Sequence, residues 1–139
     1  MRIATACAML SMLLSARVFA ADPSLNPGKW QATITTEMPL ITQPARQDVT
    51  QCIAAGNTGP VDRMVKDGNC TITKREVSGN SLRWEMQCKS RSGPPAIGTG
   101  VFSSDGDSGT ARMEMTSTFQ GKPLKTTTTW TGKRIGPCD

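Results

Sequence analysis

From residue 21 onward the sequence carries four cysteines, Cys52, Cys70, Cys88 and Cys138, and the chain contains no histidine. An even number of widely spaced cysteines in a short exported chain reads as a disulfide framework, for which four sulfurs allow three connectivities. A zinc site is not expected, because no Cys-x-x-Cys pair and no imidazole exist to seed a tetrahedral set. If all four sulfurs are bridged, no thiolate is left over for nucleophilic chemistry. The cysteines therefore predict a small stapled domain rather than a metal or thiol centre.

The N-terminus has the layout of a secretory leader. Met1-Arg2 supplies the positive start, Ile3 to Leu14 is apolar, and Val18-Phe19-Ala20 presents compact residues before a cut after Ala20. An apolar run of about a dozen residues is too short for a bilayer that needs roughly 20. Cys7 lacks the Leu-small-small-Cys order of a lipoprotein signal, so no lipid anchor is expected. The reading is a leader over 1–20, a single domain over 21–139, a periplasmic location, and no membrane span after cleavage. Without Arg2 and Arg17 the domain holds 14 basic and 11 acidic residues, a net charge of +3. That balance is too mild for a nucleic-acid binder.

The domain alternates short period-two stretches with turn residues, as antiparallel strands do. Trp30, Ala32, Ile34, Thr36 and Met38 share one face of the first stretch. Val49, Gln51 and Ile53 share one face of the second. Residues 54–69 form the longest connection, with one or two helical turns at Val61–Lys66. Leu82, Trp84, Met86 and Cys88 alternate along one arm of a hairpin turned by Ser78-Gly79-Asn80-Ser81. A three-residue turn centred on Gly79 sets Cys70 against Cys88; a two-residue turn shifts that register by one. Further strands run Ala96–Phe102, Ala111–Phe119 and Leu124–Ile135. The expectation is an all-β antiparallel meander of about seven strands, barrel-like or strongly bent, with one short helical crossover and two disulfides. If the crossover traverses the domain, alternating strand directions favour Cys70–Cys88 and Cys52–Cys138. Pairing of Cys52 with Cys70 and Cys88 with Cys138 stays open.

Candidate chemistry is sparse. With no His, Gly-x-Ser-x-Gly or Ser-x-x-Lys, hydrolysis has no activated nucleophile. Glu85 and Glu114 are the conceivable carboxylate pair, and solvated strand faces explain them as well. Asp105-Gly106-Asp107-Ser108-Gly109 lacks the later bidentate Glu of a calcium loop and reads as a hairpin turn. No catalytic residue, cofactor or metal is expected. Two binding surfaces remain. Arg75 and Arg83, read as nearly opposed on the outer hairpin face near Lys89 and Arg91, are candidates for an anionic contact. Trp30, Trp84, Met86, Met113, Met115 and Trp130 are candidates to line an apolar cavity or, more plainly, to fill the core.

Pro27-Gly28-Lys29-Trp30 opens a strand that ends near Met38-Pro39. Gln51-Cys52-Ile53, Cys70, Trp84 to Cys88, Gly106-Asp107-Ser108 and the closing Gly132-Lys133-Arg134-Ile135-Gly136-Pro137-Cys138 follow. This succession resembles the secreted Gram-negative bacterial family catalogued as domain of unknown function 3617. The resemblance implies periplasmic export and the four-cysteine pattern, and it implies no activity and no site residues. No Tyr stands in the Gly-Asp-Ser region, where the family pattern leads one to expect it. The expected function is a non-catalytic binding domain for a small apolar or envelope-derived ligand. The alternative is a protein-binding inhibitor or accessory factor that docks an acidic partner through loops or the basic hairpin face.

Overall fold

A computed structural model describes residues 21–56, 59–66 and 68–139. The expected leader, 1–20, lies outside them. Seven strands form: β1 Gly28–Glu37, β2 Ala45–Ile53, β3 Cys70–Ser78, β4 Ser81–Cys88, β5 Ala96–Ser104, β6 Ser108–Phe119 and β7 Lys122–Gly136. A six-residue helix, α1 Pro60–Val65, lies between β2 and β3. All neighbouring strands are antiparallel, in the order β2-β1-β7-β6-β5-β4-β3. Among the described residues no helix is long and apolar enough to cross a membrane.

The sheet does not close, which corrects the barrel expectation. The pairing that would shut a seven-strand meander, β1 with β7, is made over Lys29–Glu37. The break falls instead between β2 and β3. Strand directions alternate across the sheet, so these two edges run the same way and each lacks a neighbour on its outer side. Among the described residues no ladder joins these two edges.

The inward face is continuous through the registers. Trp30 and Ala32 on β1 lead across β7 and β6 to Phe102 on β5, and then to Leu82, Trp84 and Met86 on β4. These residues are buried, as are Leu25 before β1, Ile53 on β2 and Val61 on α1. Strands β2 and β4 are far apart in the strand order yet contribute to one core cluster. The open sheet therefore curls around a shared interior, and Val61 fills part of the space beside its gap.

The two disulfides lie at opposite ends. Cys52 pairs with Cys138 at a Cα separation of 5.6 Å, and Cys70 with Cys88 at 4.0 Å. The Cys70–Cys88 separation is that of directly opposed strand residues without mutual hydrogen bonds. The connectivity is the one favoured by counting strand directions, and the rival pairing is excluded.

The hairpin register departs from expectation in an instructive way. The turn is the two-residue type, with Ser78 opposite Ser81 and Gly79 at a φ of 58°. That turn alone would misalign the cysteines by one position. An irregularity between Ile72 and Lys74 absorbs the extra residue, so Ile72 still faces Met86 and Cys70 still faces Cys88.

Candidate functional site

The predicted basic face is divided by that same irregularity. Arg75 lies opposite Trp84, and Arg83 lies opposite Glu76. Because alternate residues leave a strand on opposite faces, Arg75 points to the core side and Arg83 outward. The two arginines are not opposed, which corrects the sequence reading. Arg75 is engaged by Asp22, whose Oδ1 accepts from Arg75 Nε at 3.3 Å. The outer hairpin face is mixed in sign: Lys74 Nζ lies 3.3 Å from Glu76 and 4.0 Å from Glu85. Lys89 and Arg91 sit apart from it, on the exposed β4–β5 loop.

Asp22 belongs to an N-terminal strap that crosses the Cys52–Cys138 end. Ser104 Oγ donates to the carbonyl of Ser24 at 3.0 Å, Asn26 N donates to Gly106 O at 2.8 Å, and Trp30 Nε1 donates to Asn26 O at 2.9 Å. Leu25, 2% exposed, drops from the strap into the core. Arg134 Nε donates to Pro27 O at 2.8 Å, which joins the opening Pro27-Gly28 stretch to the closing one. The terminal sequence motifs are thus two halves of one closure.

The Asp105–Gly109 turn is committed to its own backbone. Asp105 Oδ1 accepts from Ser108 N at 2.8 Å and Asp107 N at 3.1 Å, and Oδ2 accepts from Ser108 Oγ at 3.0 Å. Those donors, Ser108 first, hold the Asp105 carboxyl below the ordinary carboxylate range. Among the described residues no group of three His, Cys, Asp or Glu could hold a metal ion. Glu114 and Glu85 lie on the same outer face, with Thr99 on the strand between them. Lys125 and then Arg112, at 2.8 and 2.9 Å, keep Glu114 ionised by lowering its pKa. A glycosidase acid needs the opposite shift.

The Trp and Met residues separate into two groups along the interior. Trp30 is 0% exposed, Phe102 and Leu82 1%, and Trp84, level with Met113, 2%. Strand glycines make room for the large rings. A Cβ on Gly100 would stand 2.1 Å from Trp84 Cζ2, and one on Gly132 would stand 2.4 Å from Trp130 Cζ2. The Trp30 and Trp130 rings lie 6.1 Å apart at 36°. Trp84 Nε1 is buried without a hydrogen bond, which costs about 1–3 kcal/mol that the buried ring must offset.

Along β1, β6 and β7 the inward face changes toward the Cys70–Cys88 end. Ile34 and Trp130, level with Phe102 and Leu82, and beyond them Met113, Met115, Thr126 and Thr128, point inward by register but are only half-buried. Met86, across β5, remains buried at 2%. Burial of the inward face is therefore complete on β4 and partial along β6 and β7, where Met113, Met115 and Trp130 pack against the core cluster. Of the six predicted lining residues, Trp30, Trp84 and Met86 are buried core, while Met113, Met115 and Trp130 are half-buried and pack against it. Ile34 was not singled out from sequence as lining, although its alternation with Trp30 and Ala32 placed it on that face.

No curated protein and no solved structure matches the chain. One family model matches, over residues 25–138, from the buried leucine of the strap to the last cysteine. The chain therefore belongs to the family described as Protein of unknown function (DUF3617).

Proposed function

We propose that this protein is exported, works in the periplasm, and is a non-catalytic binding domain for a small apolar or envelope-derived ligand. The observation that carries the reading is uneven burial: beside the buried Trp84 and Met86, Met113 and Met115 with Thr126 and Thr128 are only half-buried, and this strip is the proposed apolar trough. Apolar walls with a few hydroxyls, here Thr126 and Thr128, suit an acyl chain or another greasy group. Met side chains adapt to irregular ligands because they are unbranched and polarizable. Two cysteine pairs support export, since such bridges persist in oxidising compartments.

The test is titration of the purified protein with palmitate and with dodecanol, followed through tryptophan fluorescence. Trp130 is the half-buried indole, two residues along β7 from Thr128, and is the tryptophan best placed to report on ligand entry. A saturable change is expected, and Met115→Glu should abolish it by placing a charge in the apolar wall. Native mass spectrometry of protein taken from its own cell envelope should show a co-purifying lipid-sized mass. No saturable signal with either amphiphile, together with a bare mass, would remove the reading.

A further inference from the structure

We propose that the Cys70–Cys88 end of the domain docks on an anionic lipid surface. This goes beyond ligand binding in the trough, and it stands on the rim around that opening.

Among the described residues, five large apolar side chains are conspicuously exposed: Leu40 at 63%, Ile41 at 38%, Ile97 at 50%, Phe119 at 51% and Ile135 at 49%. The first four sit at the Cys70–Cys88 end. Leu40 and Ile41 lie in the β1–β2 loop, Phe119 closes β6 at its turn, and Ile97 is the second residue of β5. Only Ile135 is at the other end. A rim of apolar residues set around a half-open apolar interior is costly in water and favourable at a bilayer interface.

Charge is divided along the same axis. Exposed Lys89, Arg91 and Lys122 occupy the β4–β5 loop and the β6–β7 turn, with Glu37 the acid at the end of β1. At the opposite end Asp22, Asp105, Asp107 and Asp139 are matched by Lys29, Lys133, Arg134 and the Arg75 that Asp22 engages, so that end is close to balanced. The apolar rim therefore carries a cationic excess that the far end lacks. That complementarity fits a negatively charged, laterally fluid surface, where each basic side chain near the headgroups contributes about 1 kcal/mol, or roughly fivefold in partitioning.

Flotation of the purified protein with vesicles tests this, comparing phosphatidylglycerol–phosphatidylethanolamine with pure phosphatidylcholine. Binding is expected on the anionic vesicles, to weaken with salt, and to be lost from the neutral ones. Reversing Lys89→Glu with Arg91→Glu should lower partitioning by at least roughly tenfold, and Leu40→Ser with Phe119→Ser should also weaken it. Ile135→Ser and Lys133→Glu, at the far end, should leave it unchanged. Equal binding to neutral vesicles, insensitivity to the rim variants, or equal sensitivity to the far-end variants overturns the proposal. A saturable amphiphile titration without vesicle binding overturns docking and leaves the trough reading intact. Rim-dependent vesicle binding without that titration supports docking and removes the trough reading instead.

Discussion

Replacing Gly100 by Ala turns the packing of the core into a question of sign. In a strand interior, Gly is ordinarily less stable than Ala by roughly 0.5–1 kcal/mol, so the substitution should help if nothing stands in the way. Here the new Cβ would lie 2.1, 2.3 and 2.6 Å from Cζ2, Cε2 and Cη2 of Trp84. These are ring atoms of a side chain 2% exposed, opposite Gly100 in the register, and they have no free space to enter. Overpacking of this kind costs about 1–3 kcal/mol or more. With so close an approach to a rigid ring, Gly100→Ala should lose about 3 kcal/mol, a large part of the 5–15 kcal/mol typical of a domain. Gly98→Ala is the internal comparison. Its Cβ would meet Met86 Cε at 2.8 Å, Cγ at 2.9 Å and Met115 Cε at 3.3 Å. Met86 Cγ is near the backbone, but two flexible thioethers can yield, so the loss should be about 1 kcal/mol. Urea unfolding monitored by circular dichroism measures both, read as shifts of midpoint at constant slope. A Gly100→Ala protein as stable as the parent, or less perturbed than Gly98→Ala, would refute the placement of Trp84 over that glycine.

The disulfides should differ in value. Opening Cys52–Cys138, with a sequence separation of 86, should cost about 4.5 kcal/mol, against about 3 kcal/mol for Cys70–Cys88, with a separation of 18, on the chain-entropy account. Paired Cys→Ala variants in the same urea assay should preserve that order. The Asp105 turn should respond to acid. Because its folded pKa lies below the ordinary value of 3.8, its stabilising effect is complete above that value and fades as pH falls through the lowered folded pKa. Asp105→Asn should therefore flatten the acid limb of a stability-against-pH curve, and an unchanged limb would count against the turn's role.

Much of this architecture was readable because it rests on local alternation. Leu82-x-Trp84-x-Met86-x-Cys88 declares its buried face, and β4 buries those four residues. The sulfur pairing followed from strand direction, a global count that tolerates boundary errors. What was not readable was anything depending on one residue of register. A two-residue turn and an irregularity near Thr73 shift the hairpin in opposite senses, so the cysteines met as expected while Arg75 and Arg83 separated. Nothing in Thr-Ile-Thr-Lys announces that extra residue. The open edge was equally hidden: β1 pairs with β7 as closure requires, but the covalent crossover between β2 and β3 leaves two edges pointing the same way.

Those parallel-running edges have a consequence for the interior. In a closed barrel every inward side chain is surrounded, and length along the axis sets how much is buried. Here the wall is incomplete, and its two ends are completed differently. The Cys52–Cys138 end gains a strap whose Leu25 enters the core and whose Asp22 reaches β3 across the opening. The β6 and β7 side of the Cys70–Cys88 end has no comparable cover among the described residues, and Met113 and Met115 are only half-buried there. Shortening the strap by removing Leu25 and Asp22 would expose the filled end, whereas the trough end would be unaffected. Closure of the core and solvent access to Met113 and Met115 are consequently governed from opposite ends, and substitutions at one should leave the other's readout in place.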